Sequence, residues 1–200
     1  MTAVRQAFTR ESADARRAAL IDATAACLAQ TGLAGTNVRA ICKKAGVSPG
    51  LLRHYFDGID DLVAATYQAT SDRMDRVFAD AVAAAGRDPR TRLSAYLTAS
   101  FRPPVTDPEL LGAWTAFWAL ARSDARMADI HANSYAGYRA RLTDLLTACD
   151  AADAGRLAIL LTAMVDGLWL ELSLDATSFG ADAAAEMIER ALTALLPPQR

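Results

Sequence analysis

Cationic side chains crowd one end of this chain. Through residue 56 it carries Arg5, Arg10, Arg16, Arg17, Arg39, Lys43, Lys44 and Arg53 against only Glu11, Asp14 and Asp22, a net of +5. The whole chain is −2, so the remaining residues are −7. A basic end on an acidic body directs a polyanion to one face, and neutralising phosphate is the chemistry those side chains offer. Charge alone would equally describe a solvated basic helix, so the local fold around these residues has to decide.

A second set of residues suggests different chemistry. Trp114, Phe117 and Trp118 stand at i, i+3 and i+4 and share one helix face. Tyr135, Tyr138, Trp169 and Asp166 could line the other side of one cavity. Aromatic faces with a carboxylate suit a quaternary ammonium, which has no N–H to donate; each face is worth about 0.5 to 2 kcal/mol. Such a stripe serves equally well as core packing. Asp166, between Val165 and Gly167 in an apolar stretch, is the stronger signal, because burying an unpaired carboxylate is costly. It requires a cation, a donor or a dimer partner.

The elements that position the basic set are legible between Thr36 and Phe56. Thr36 can cap a helix start, Val38 and Ile41 recur at i, i+3, and Gly46 sits where a left-handed C-terminal cap is needed. Ser48 then offers a second N-cap, with Pro49 at the first helical position, where its missing N–H has no partner to lose. Two short helices joined by a turn form a helix-turn-helix, whose second helix enters the DNA major groove. The coincidence of this pattern with the charge favours a nucleic-acid interface over a merely solvated face.

Elsewhere the punctuation predicts an all-α fold of about nine helices. The first runs from about Ser12 to Gln30, with Ile21, Ala25 and Leu28 as its inner stripe and Gly32 as its stop. After the helix-turn-helix, a long fourth helix covers about Ile59 to Ala85. Gly86 to Pro89 breaks it, and a fifth reaches about Ser100. Pro103, Pro104 and Pro108 mark an interior loop. Further helices follow at about Pro108 to Ala121, Ala125 to Ala148, Asp153 to Ser173 and Ala181 to Leu196, the last stopped by Pro197 and Pro198.

Composition and motif content exclude several classes. A 200-residue chain with 52% hydrophobic residues is globular rather than disordered. The most apolar run, Leu157 to Val165, stops at Asp166, and no apolar leader follows the first basic residues, so a cytoplasmic protein without membrane association is expected. Cys27, Cys42 and Cys149 are odd in number and far apart, which suits reduced core thiols rather than a disulfide frame or zinc site. No nucleophile elbow, zinc-binding histidine pair or phosphate-cradling glycine loop is present, and two isolated histidines offer little acid–base chemistry. His131 is expected at the surface or lining a pocket. No catalytic residue, metal site or cofactor is expected.

Gly32, Thr36, Val38, Ile41, the run Ala45 to Gly50 (AGVSPG), His54 to Phe56 (HYF) and Leu62 stand in an order and spacing that resembles the TetR-type transcriptional repressors. The segments Arg16 to Thr24, Ala113 to Ala119 and Val165 to Leu174 are similar to the BetI-type branch, which represses choline-to-betaine genes. The resemblance implies an N-terminal three-helix DNA-binding domain, residues 1–58, and a larger helical ligand-binding and dimerisation domain, residues 59–200. It implies DNA roles for Thr36, Arg39, Ser48, Pro49, Gly50, Leu51, Arg53, His54 and Tyr55. Gly50 admits the DNA backbone closely, Ser48 and Tyr55 can donate to phosphates, and Arg39 can reach phosphate or a guanine edge. Leu52 and Phe56 are expected beneath the motif.

This chain departs from the family in one place that matters. Where a lysine often meets phosphate at the start of the fourth helix, it has Ile59, then Asp60 and Asp61. These acids suit a helix N-terminus by about 0.3 to 1 kcal/mol but face DNA poorly. Binding then relies on Arg39, Lys43, Lys44 and Arg53, or on backbone N–H groups.

The eighth helix carries Leu157, Leu160, Leu161, Met164, Leu168 and Leu172 on one stripe and Ile159, Ala163 and Leu170 on another. A second apolar stripe has no internal use, and a two-fold interface would bury it, so a homodimer is expected. The expected partners are a near-palindromic double-stranded operator and a small effector, choline or another quaternary ammonium. The alternative effector is a larger hydrophobic or cationic compound, as for a drug-efflux regulator, because pockets differ within one fold.

Overall fold

The computed structural model describes residues 2–175 and 177–196, with side chains from residue 13 onward. Arg5, Arg10, Glu11, Pro197 and Pro198, named above for their charge or as a helix stop, lie outside those side-chain limits. Nine α-helices and a 3-10 turn follow one another, with no strand among the described residues: α1 (Thr2–Gly35), α2 (Val38–Ala45), α3 (Pro49–Tyr55), α4 (Ile59–Ala84), α5 (Pro89–Thr98), the turn Ala99–Phe101, α6 (Pro108–Ala121), α7 (Ala125–Ala148), α8 (Ala154–Leu174) and α9 (Ala181–Leu195).

The helix boundaries follow local chemistry. Gly32 breaks the helical geometry of α1 at φ 62°, ψ −167°, a backbone open to glycine and strained for other residues. Asp88 caps α5 by accepting the Thr91 N–H at 2.7 Å, with Pro89 at its first position. One cap differs from the expectation. Asn37, not Thr36, caps α2, its Oδ1 accepting the Ala40 N–H at 3.0 Å. Because α2 begins at Val38, the cap position falls on residue 37, while the Thr36 hydroxyl donates to the Gly32 carbonyl at 2.7 Å.

The chain packs as two units, one joining Met1–Thr70 with Gly112–Ile130 and the other joining Ser71–Leu111 with His131–Arg200. The core of the first holds Leu20, Ala23, Cys27, Ile41, Cys42, Leu52, Phe56 and Leu62. The inner stripe of α1 keeps Leu28 of the expected residues, which is buried with Leu20, Ala23, Thr24, Ala26 and Cys27, while Ile21 and Ala25 are only half-buried. Thr24 tolerates this because its hydroxyl donates to the Leu20 carbonyl at 2.8 Å, leaving no unsatisfied polar atom inward. Cys27 and Cys42 are buried thiols, and burial pushes the Cys42 thiol up, so it stays unreactive.

α6 comes against α1 at Gly112. A Cβ there would stand 2.9 Å from Ala29 Cα and 3.0 Å from its carbonyl oxygen, both backbone atoms. Gly112→Ala is expected to cost about 1 to 3 kcal/mol by overpacking. It should lower the thermal midpoint followed by circular dichroism by about 2 to 12 °C; an unchanged midpoint would show that the two helices part freely.

In the second unit α9 packs on α5 and α8. Arg90 donates to the Leu192 carbonyl at 3.1 Å, Ser94 pairs with Glu189, and Arg102 with Asp182. α8 buries Ala158, Leu161, Thr162, Val165 and Trp169. Its outward side exposes Ile159, Leu160, Ala163, Leu170 and Leu174, so Leu160 belongs outside rather than on the inner stripe expected for it. By length and composition α8 is apolar enough to cross a membrane, beyond what the run ending at Asp166 indicates, because one carboxylate does not offset leucines on both sides. That apolar excess divides between the packed face and the outward one.

Candidate functional site

The basic set lies on α2 and α3, two short helices whose termini are tightly specified. Gly46 adopts the left-handed conformation, φ 67° and ψ 30°, and its N–H returns to the Cys42 carbonyl. Ser48 caps α3, its Oγ accepting the Leu51 N–H at 3.3 Å, and Pro49 opens the helix. The turn thus spans only Gly46 to Ser48, and α3 projects at a set angle from α2. Beneath it Leu52 and Phe56 are buried, as expected of their side chains. Val38, Ala45, Val47 and Tyr55 pack partly against the same core.

Packing one side of α3 turns the other outward. Arg39, Lys43, Lys44, Ser48, Pro49, Gly50, Arg53 and His54 are exposed, while Thr36, Leu51 and Tyr55 are half-buried. Lys44 Nζ donates to Gln30 Oε1 at 3.2 Å, and the rings of His54 and Tyr55 meet edge to face at 5.1 Å. These side chains present amine, guanidinium and hydroxyl donors to solvent from one pair of helices, which suits phosphate contacts around a groove-reading helix.

The aromatic set divides between the two units. In the first, Trp114 and Phe117 are buried against Tyr67, which stacks on Phe117 at 4.4 Å and meets Trp114 edge-on at 5.5 Å; Trp118 is half-buried. In the second, Tyr135, Tyr138, Asp166 and Trp169 occupy α7 and α8. The Tyr135 hydroxyl donates to Asp166 Oδ1 at 3.0 Å. The His131 ring lies tilted by 34° against the Tyr135 ring, their centroids 4.2 Å apart, and the Arg139 guanidinium stands 5.7 Å from the Tyr135 centroid. Tyr138 instead joins Phe78 and Tyr96 in an aromatic cluster, and its carbonyl accepts the Tyr96 hydroxyl at 3.1 Å.

Asp166 has the most perturbed carboxyl of the group. Burial pushes its pKa up to about 6, opposed by the Tyr135 hydrogen bond and by Arg139. It makes no ion pair among the described residues. A carboxylate so placed favours a proton or an arriving cation. Burial, then Arg139, lowers the His131 imidazole, and burial raises the Tyr138 phenol. His131 therefore sits beside Tyr135 as a neutral, half-buried ring.

Sequence reasoning missed four participants. Tyr67, Phe78 and Tyr96 complete the two aromatic clusters, and Arg126 donates to Asp61 at 2.7 Å. Tyr67, beside Thr66 on the apolar stretch of α4, carried a detectable signal as an inward aromatic. Arg126 carried none, because its partner lies 65 residues away. Among the described residues no cluster of His, Cys, Asp or Glu could hold a metal ion.

Comparison with known proteins agrees with this geometry. Residues 20–66 match the model for bacterial regulatory proteins of the tetR family, and residues 89–197 match that for the C-terminal region of BetI-type transcriptional repressors. The chain is 36% identical over 178 residues to the HTH-type transcriptional regulator BetI of Paraburkholderia xenovorans LB400, covering 84% of this chain and 87% of the relative. A solved structure of a transcriptional regulator from Pseudomonas aeruginosa PAO1 is 40% identical, with TM-score 0.81 over 91% of this chain and 90% of that one. A regulator from Saccharomonospora viridis, solved in complex with choline, shares the fold at TM-score 0.79 over 88% of this chain and 94% of that one, with 16% identity. The exposed cationic helix-turn-helix, the all-helical body and these matches together make the chain a DNA-binding transcriptional regulator of the TetR family, with a BetI-type C-terminal region.

Proposed function

We propose that the protein is a cytoplasmic repressor that binds a near-palindromic operator as a homodimer and releases it on binding a small quaternary ammonium, choline being the first candidate. The carrying observation is Asp166, a half-buried carboxylate of the apolar α8 with a raised pKa, which accepts the Tyr135 hydroxyl. A cation without N–H groups is held by such a carboxylate and by aromatic faces. The BetI-type relatives and the choline complex of the S. viridis regulator support the same ligand.

In this reading residues 1–58 form the DNA-binding domain and residues 59–200 the ligand-binding and dimerisation domain. Ile159, Leu160, Ala163, Leu170 and Leu174 of α8, with Met187 of α9, meet the same surface of a second copy. An isologous contact then sets two α3 helices about 34 to 36 Å apart, one DNA turn. Thr36, Arg39, Lys43, Lys44, Ser48, Pro49, Gly50, Leu51, Arg53, His54 and Tyr55 make the DNA contacts, and Tyr135, Tyr138, Asp166 and Trp169 of the second unit serve the effector. α4 contributes residues to both packing units. Its movement on effector binding changes α3 spacing, with a coupling of about 1 to 3 kcal/mol.

Mobility shifts on the DNA upstream of the protein's own gene test this directly. Choline is expected to release the complex, and betaine aldehyde and glycine betaine serve as competitors. Undiminished binding at saturating choline rejects choline as effector. Arg53→Gln should weaken the complex and flatten its log-affinity against log-salt slope by about 0.9 for each phosphate left without its cation. A slope identical to that of the unsubstituted protein removes Arg53 from the phosphate contacts.

A further inference from the structure

The acidic start of α4 is flanked by positive charge from two distant helices. Asp61 Oδ1 accepts from Arg126 Nη2 of α7 at 2.7 Å, and its Oδ2 accepts the Asp57 N–H at 3.3 Å. On the other side, the Arg17 guanidinium of α1 stands 5.0 Å from the centroid of Phe56, the residue that ends α3, and acts electrostatically on Asp61. Both arginines are exposed, the Arg126 side chain by 59%. All of these groups belong to the same packing unit as the helix-turn-helix.

Stability is a poor reason for this arrangement, because an exposed ion pair contributes little. Electrostatics supplies a better one. Asp57, Asp60 and Asp61 follow the recognition helix within six residues and would repel a duplex held by it. Arg17 and Arg126 set two positive charges against those three, both of them acting on Asp61. The Asp61 contact uses Nη2 of the Arg126 guanidinium, whose five N–H donors in a planar fork leave others for a second oxyanion.

We propose that the DNA interface of this protein extends beyond the helix-turn-helix to Arg17 and Arg126, which contact duplex phosphates beside the start of α4, with Asp61 holding Arg126 in position. The partner chemistry is the phosphate backbone rather than base edges. The contact is therefore indifferent to sequence and steeply dependent on salt. It rests on DNA binding by α2 and α3.

The test follows the affinity of the full chain for a fluorescently labelled mixed-sequence duplex between about 50 and 200 mM salt. Arg126→Gln should weaken binding several-fold and reduce the log-log slope by about 1, as expected when one phosphate is no longer neutralised. Arg17→Gln should do the same independently, and Arg126→Lys, which keeps the charge, should keep the slope. Asp61→Asn should tighten binding, because it removes a repelling charge and leaves an oxygen for Arg126. Two results overturn the proposal: Arg126→Gln leaving affinity and slope unchanged, or Arg126→Gln and Asp61→Asn weakening binding alike at constant slope, which would make the pair a structural tie. A thermal melt of each variant identifies any that fails to fold, and Arg126→Lys and Arg17→Gln then decide. If the unsubstituted protein ignores the duplex even at low salt, DNA binding by the motif itself fails, a distinguishable result that also overturns this extension.

Discussion

Ile159→Glu combined with Leu170→Glu is expected to give a folded monomer whose operator affinity has fallen at least a hundredfold. Both side chains are exposed on α8, Ile159 by 61% and Leu170 by 37%, so the substitutions leave the buried face of α8 intact and helix content should persist. In a dimer they would bury carboxylates without partners in an apolar contact, where each deleted aliphatic side chain already forfeits about 1.5 to 3 kcal/mol. Loss of operator affinity follows because two recognition helices joined in one assembly gain about 10² to 10⁴ over one alone. Light scattering with size-exclusion chromatography reads the mass, and the mobility shift reads the DNA. A variant that stays dimeric and holds its operator would place the subunit contact elsewhere.

Asp166→Asn should remove the response to choline while leaving effector-free operator binding intact. The substitution keeps size and the acceptor for the Tyr135 hydroxyl but removes the charge. The choline concentration needed for half-release should rise at least tenfold, which is about 1.4 kcal/mol. The unsubstituted protein should show the same loss in acid, since its carboxyl titrates at about 6 and a protonated acid no longer attracts the cation. The sign for stability follows from the same shift. A carboxyl raised above its unfolded value near 3.9 favours the folded state most below that value, and this contribution disappears as pH rises through about 6. The effector-free protein should therefore lose on the order of 2 kcal/mol between those limits, and Asp166→Asn should not. Equal choline release by variant and unsubstituted protein at neutral pH would exclude Asp166 as the cation's partner.

Sequence reading succeeded where a few neighbouring residues decide the outcome. Gly46, Ser48 and Pro49 marked the end of α2 and the start of α3, and the burial of Leu52 and Phe56 followed from their place beneath the exposed cations. It slipped by one position at Asn37, and on the inner stripe of α1 it found Leu28 but took half-buried Ile21 and Ala25 for their buried neighbours Leu20 and Thr24. Adjacent residues with similar capping or packing capacity compete there, and small rotations of a helix decide between them. Leu160 shows the same limit: its type suits either face of α8, and only the orientation of α8 against its neighbours turned it outward.

What the sequence alone determined, then, is the all-helical course of the chain, the helix-turn-helix and its cationic outer face, because caps, turns and periodicity act within a few residues and charge needs no packing to be counted. Which distant side chains meet was decided by tertiary structure. Tyr67 stacking on Phe117, Tyr135 bonding to Asp166 and Arg126 reaching Asp61 join residues 31 to 65 apart. Those pairings depend on how whole helices dock, and docking sums many weak contacts that no local stretch of residues contains.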